Sequence, residues 1–254
     1  MADEKTATAS SDTPDGLPRL QIGMLLYPGF TLLDLAGPHT GFGLHGQTHL
    51  IWKTMDPVHS DMGASMNPTM TFADVPDDLD VLFVPGGFGT VDMMEDQEVL
   101  DFLARVGATA RYVTSVCTGS AILAMAGLLD GYRAATYWAF YEPLEALGIE
   151  PSYDRVAIDR NRITGGGVTA GIDFALTVIA ELKGQDAAEF VQLALEYDPH
   201  PPFNAGHPRS ARQEIIDMVS GPDGMMREMT PAAVAVAKAH KERLTNATPQ
   251  LAPV

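Results

Sequence analysis

The sequence predicts an α/β fold in which helices cover both faces of a mostly parallel sheet. Three observations carry this expectation. Short, continuous apolar runs, suited to strands buried on both faces, alternate with stretches whose apolar residues recur at helical spacing. Glycine clusters follow several of the runs, at the carboxyl ends of strands where such sheets place their ligands. A chain of 254 residues, 46% of them hydrophobic, is long enough for one large domain or two small ones.

Taken in order, residues 20–27 form a buried strand stopped by Pro28-Gly29. A helix is expected over 30–44, interrupted at Gly37-Pro38. Residues 49–55 are a second strand, and the Gly, Asn, Pro and Thr of 60–75 suggest a short hairpin. A fully buried strand over 80–85 runs into Gly86-Gly87-Phe88-Gly89, and Val99, Leu100, Phe102, Leu103 and Val106 mark a helix over 98–106. A strand ending before Cys117 is followed by a helix ending at Gly127. Next come a short strand over 133–137, a helix over 141–147, and strand pieces at 156–159 and 162–164 around the polar turn Asp159-Arg160-Asn161. Gly165-Gly166-Gly167 precedes a helix over 169–182; further helices are expected over 187–197, 209–219 and 231–244.

A net charge of −17 repels phosphate backbones and anionic membranes, so nucleic-acid binding is not expected. No apolar run reaches the length of a membrane span. The first 18 residues lack the apolar core of a signal peptide and read as a disordered tail. One cysteine excludes an intramolecular disulfide and suits a reducing cytoplasm.

That cysteine, Cys117, sits on the turn from strand to helix, flanked by Ser115 and Gly119. A sharp elbow needs small neighbours. A thiol at a helix N-terminus faces unpaired N–H groups that favour the thiolate, the nucleophilic form. The alternative is a small buried hydrophobe at a strand end. Asp34, among Leu32, Leu33 and Leu35, is a carboxylate whose apolar surroundings would raise its pKa if it faced a pocket, fitting it to give and take a proton. Helix capping is its other reading. Gly86-Gly87-Phe88-Gly89 lets backbone N–H groups approach a ligand, but its spacing is not that of a dinucleotide-binding loop. No histidine pair has zinc spacing on a helix. Asp173 reads as a structural hydrogen-bonder, and Tyr137 and Trp138 as pocket wall or core.

Across residues 20–210 the chain resembles the DJ-1/PfpI superfamily, and within it the bacterial isocyanide hydratases. The matching segments are Leu33-Asp-Leu-Ala-Gly-Pro38, Val84-Pro-Gly-Gly87, Arg111-Tyr-Val-Thr-Ser-Val-Cys-Thr-Gly-Ser120, the run from Thr164 to Leu176, and Pro201-Pro-Phe-Asn-Ala-Gly206. The cysteine and glycine segments are also shared with the sensor domains of transcription regulators. Much of the superfamily has glutamate where Asp34 stands, and relatives often have histidine where Tyr137 stands. A Cys–His dyad is therefore unavailable at that position.

The resemblance implies a flavodoxin-like, class I glutamine amidotransferase-like sandwich with a nucleophile elbow. It implies a catalytic domain over 19–210, followed by a helical extension with a frayed tail over 211–254. It also implies a cytoplasmic homodimer acting on a small isocyanide without cofactor or metal. Cys117 would be the nucleophile and Asp34 the proton donor and acceptor. Thr118 would orient Asp34 or water, and backbone N–H groups at Gly86, Gly87 and Thr118 would hold the reacting atoms. The alternatives are a glyoxalase or deglycase acting through the same thiol, and a non-catalytic redox sensor with Cys117 as its oxidisable switch.

Overall fold

The computed structural model describes Gly16 and residues 18–247; the rest of the expected N-terminal tail and of the frayed C-terminus lies outside the described residues. The first half of the chain runs β1 (Leu20–Leu25), α1 (Leu32–Phe42), β2 (Gly46–Trp52), β3 (Val58–His59), β4 (Ser65–Met66), β5 (Met70–Thr71), β6 (Val81–Val84), α2 (Thr90–Glu95), α3 (Gln97–Gly107) and β7 (Tyr112–Val116). The second half runs α4 (Gly119–Met125), β8 (Arg133–Ala135), a 3-10 turn (Trp138–Phe140), α5 (Tyr141–Ala146), β9 (Glu150–Ser152), β10 (Val156–Asp159), β11 (Arg162–Gly165), α6 (Ala170–Lys183), α7 (Gln185–Ala194), α8 (Gln213–Ser220) and α9 (Met229–Ala247).

The central sheet has the order β10-β11-β7-β6-β1-β2-β5. Its pairs are parallel except β10–β11, which are antiparallel around the expected polar turn. The four residues of β6 are all buried, as a strand covered on both faces requires. Helices α1, α6 and α7 pack into one layer, and α2 to α5 with α9 into another. Phe42 of α1, Phe83 of β6 and Phe174 of α6 form a triangle of ring contacts with centroids 5.5–6.4 Å apart, which locks α1 and α6 onto the sheet.

The order also places the site. After β1 the chain moves to one side of that strand to form β2, and then to the other side to form β6. The loops after β1 and β6 therefore part at the sheet's carboxyl edge, which opens a crevice there. The loop after β7 lies beside them.

Several expectations change. Helix α1 runs straight through Gly37-Pro38 instead of breaking there. The proline sits where α6 comes closest, and a Cβ on Gly171 would stand 3.0 Å from Pro38 Cδ, so helix packing outweighs the lost N–H bond. The stretch 60–75 is only partly a hairpin: β3 and β4 pair antiparallel, while β5 joins the main sheet beside β2. A six-residue helix, α2, starts directly after Gly89, where none was expected. Strand β8 leaves the main sheet to pair with β9, which was also unforeseen.

Candidate active site

Cys117 occupies the turn between β7 and α4 with φ 55°, in the left-handed region that side chains other than glycine's rarely adopt. Such a conformation costs about 1–3 kcal/mol and persists only when the surroundings hold it. Here they do. The Cys117 N–H donates to the carbonyls of Gly165 (3.1 Å) and Gly166 (2.8 Å). Its own carbonyl accepts from Thr136 Oγ1 at 2.9 Å and from Ser120 Oγ at 3.3 Å. Gly119 is required because a Cβ there would collide with the carbonyl oxygens of Val84 and Pro85.

Asp34 lies in the first turn of α1 and is fully buried. It is not the cap of that helix, since Thr31 holds the N-cap position. Its Oδ2 accepts from the Gly86 N–H at 2.9 Å, while Oδ1 makes no full hydrogen bond to the protein. Burial raises its pKa to about 7; the adjacent Cys117 thiol and the Gly86 N–H pull it down, and the charge of Asp61 pushes it up. Burial also pushes the Cys117 thiol well above its ordinary value, and the Asp34 charge adds to the rise. The N–H groups of Val168 and Thr118 pull the thiol back down, but less strongly. The sequence led to the expectation of a thiolate favoured by the helix end; desolvation of the whole site outweighs that. Above about pH 7 the pair therefore carries a single proton between sulfur and carboxylate.

The glycine loop supports this pair more than it faces a ligand. The Gly86 N–H is spent on Asp34, and the Gly87 N–H donates to Thr118 Oγ1 at 3.0 Å. A Cβ on Gly86 would stand 2.8 Å from Asp34 Oδ2, so the residue must be glycine for the carboxylate to approach. Thr118 Oγ1 also pairs with Thr90 Oγ1 at 2.6 Å, and Thr90 Oγ1 donates to the Gly87 carbonyl at 2.7 Å. The Thr118 hydroxyl thus braces the loop, and its proton is directed to Thr90, not to Asp34. The N–H groups beside the sulfur are those of Thr118 and Val168, in place of those expected from Gly86 and Gly87. Val168 has no side-chain signature in the sequence; the only hint was the Gly165–Gly167 run before it.

A pocket of about 180 Å³ opens over Cys117. Phe88, Val168 and four methionines, Met62, Met225, Met226 and Met229, make most of its wall; Thr31 and Asp61 bring polar atoms to it. No histidine lines it. Tyr137 stands in the wall beside Cys117, and burial with that neighbour raises its phenol to about 12, so it stays protonated. A Cβ on Gly167 would press on the Tyr137 ring at 2.5 Å, which fixes the close packing of the two. Tyr137 and Val168 also border a second cleft of about 450 Å³ that includes Trp138, Arg155 and His207. Asp173 lies away from the thiol and accepts from Arg155 Nε at 2.6 Å and from the Tyr197 hydroxyl at 3.0 Å, a structural role.

The model of the DJ-1/PfpI family matches residues 21–181. A Pseudomonas putida protein named isonitrile hydratase is 52% identical over 200 residues, covering 78% of this chain and 87% of that protein. The HTH-type transcriptional regulator GbdR of Pseudomonas aeruginosa is 32% identical over 192 residues; the match covers 70% of this chain and 50% of the regulator. Among solved structures, a THiJ/PfpI family protein from Pseudomonas syringae aligns with a TM-score of 0.84 at 45% identity, covering 93% of this chain and 97% of that one.

Proposed function

The chain belongs to the DJ-1/PfpI family, and on that premise we propose that it is an isonitrile hydratase, converting R–N≡C to the N-substituted formamide through a thioimidate on Cys117. Its mostly parallel sheet between helical layers is the flavodoxin-like arrangement of that family. The observation that carries the reading is a buried Asp34 carboxyl, held by the Gly86 N–H next to the Cys117 thiol, beneath an apolar pocket without a histidine. The identity to the Pseudomonas putida hydratase supports the same reading.

The chemistry follows from the thiol proton. Asp34 takes it as the sulfur attacks the terminal carbon and the S–C bond forms. The carbon now holds an electron pair, and Asp34 returns the proton to it, which leaves R–N=CH–S–Cys117. Asp34, again a carboxylate, deprotonates a water that attacks the same carbon. The C=N electron pair moves to nitrogen, which takes that proton. Collapse forms the C=O bond, breaks the S–C bond and returns the hydroxyl proton to the thiolate. One difficult addition is thereby split into two easier ones. The N–H groups of Val168 and Thr118 stabilise the departing sulfur. No cofactor takes part, and the enzyme is taken to be a cytoplasmic homodimer.

The pocket's chemistry weighs against the other readings. Its walls offer few polar partners to a ketoaldehyde, and a thiol pushed upward by burial lacks the thiolate character that makes a cysteine easily oxidised. The test is formamide production from an aryl isocyanide by wild type, Cys117→Ala and Cys117→Ser. Turnover by wild type alone is expected. Turnover in either variant removes Cys117 as nucleophile, and none in wild type removes the hydratase reading.

A further inference from the structure

We propose that Asp61 is the water-positioning residue of this site, holding the molecule that opens the Cys117 thioimidate; the inference rests on the hydratase reading above. Hydration requires a water inside a pocket walled mainly by carbon and sulfur, from Phe88, Val168 and the methionines. An ordered water needs about two to four polar partners. Most polar atoms at the pocket are already engaged. Thr118 Oγ1 is held between the Gly87 N–H and Thr90 Oγ1, and Thr31 Oγ1 donates to Asp61 Oδ2 at 2.5 Å. Two buried carboxylate oxygens at the site lack a hydrogen-bond partner among the described residues: Asp34 Oδ1 and Asp61 Oδ1. The two carboxylates are close enough that the charge of Asp61 helps Asp34 keep its proton.

Asp61 is also fixed in place. Its N–H donates to the Phe30 carbonyl at 2.9 Å, and Thr31, which holds Oδ2, donates its own N–H to the Gly86 carbonyl at 2.9 Å. Gly86 in turn gives its N–H to Asp34 Oδ2. A continuous chain of hydrogen bonds therefore sets one carboxylate relative to the other. The two free oxygens accept both protons of one water, which leaves the water's lone pairs for the thioimidate carbon. As the new C–O bond forms, Asp34 takes one of those protons and the C=N pair moves to nitrogen. Asp61 keeps its hydrogen bond to the other and transfers no proton.

The experiment is rapid-quench intact-mass analysis of the full chain mixed with an aryl isocyanide, comparing wild type with Asp61→Asn. In the variant Thr31 keeps the amide oxygen, so the free group facing the water turns from acceptor to donor. The thioimidate then forms at close to the wild-type rate but breaks down about 10- to 100-fold more slowly, as expected for a lost hydrogen bond to a charged group. The adduct accumulates, and kcat and KM fall together. Thr31→Val, which releases Oδ2 but keeps the carboxylate, slows the same step less. Breakdown at the wild-type rate in Asp61→Asn overturns the proposal, as does equal slowing of both steps, which marks a general structural loss. If wild type yields neither adduct nor formamide, the hydratase reading itself fails and this inference falls with it.

Discussion

At Asp34, burial raises the carboxyl to about 7 from an ordinary value of 3.8. Between those two values the folded chain holds a proton that the unfolded chain has lost. Stability therefore falls as pH rises through this window and levels off above about pH 7. Asp34→Asn keeps an oxygen for the Gly86 N–H and removes the buried charge. The variant is expected to be more stable than wild type above pH 7, by up to about 4 kcal/mol, with the difference closing as pH falls toward 4. Its formamide production is expected to drop about 10²–10⁴-fold. Denaturant unfolding at the two ends of the window checks the first part; equal stability at both ends would contradict the burial of a charge at this position. The same pair sets the pH dependence of kcat/KM. Activity is expected to fall on the acid side with an apparent pKa near 7, where the pair takes on a second proton, and an acid limb near 4 would contradict it. Cys117 and Asp34 stood out in the sequence as a thiol on an elbow and a lone carboxylate among leucines, but those patterns left a buried hydrophobe and a helix cap open, and the family resemblance supplied the proposed roles. Val168 was not legible because it acts through its backbone. Thr31 and Asp61 were not because they meet only where the loop after β1 packs on the turn between β3 and β4.

At the scale of elements, the elbow is where β7 and α4 fix Cys117. Gly119 lets α4 start against the Val84 and Pro85 carbonyls. Gly119→Ala is expected to cost about 1–3 kcal/mol, because the collision is with backbone that must shift. Formamide turnover should fall with it, since Cys117 moves with the turn. A wild-type melting temperature in that variant would contradict this account of the elbow. The main strands and long helices were readable because each carries enough residues to express a period. Helix α2 and strands β5 and β9 span two to six residues, too few to show one; β8 was expected within 133–137, but its pairing with β9 was not. Pro38 misled for a related reason: proline's local penalty is visible in the sequence, whereas the α1–α6 contact that overcomes it is not.

The whole molecule builds the pocket from distant parts of the chain. Its floor comes from the turns after β6 and β7, one wall from Tyr137 and Val168, and part of its cover from Met225, Met226 and Met229. That cover is anchored by α9, whose Ala233, Val234 and Ala237 are buried, and by Thr230 Oγ1, which donates to the Ala139 carbonyl at 3.1 Å. The two C-terminal helices were legible from their spacing; the placement of the turn between them and of the start of α9 over the pocket was not, because it depends on where α2 and α5 lie. Tyr137 separates this pocket from the 450 Å³ cleft beside it. Tyr137→Ala is expected to join the two spaces and to raise kcat/KM for a bulky isocyanide relative to a small one about tenfold or more. An unchanged ratio would mean that Tyr137 does not limit the substrate.

The central claim is that Cys117 and Asp34 hydrate an isocyanide through a covalent thioimidate, and rapid-quench intact-mass analysis of wild type with an aryl isocyanide tests it most directly. The predicted result is transient addition of the isocyanide's full mass at Cys117, decaying as formamide appears. Formamide released with no adduct at any time, or an adduct carried elsewhere on the chain, would contradict it.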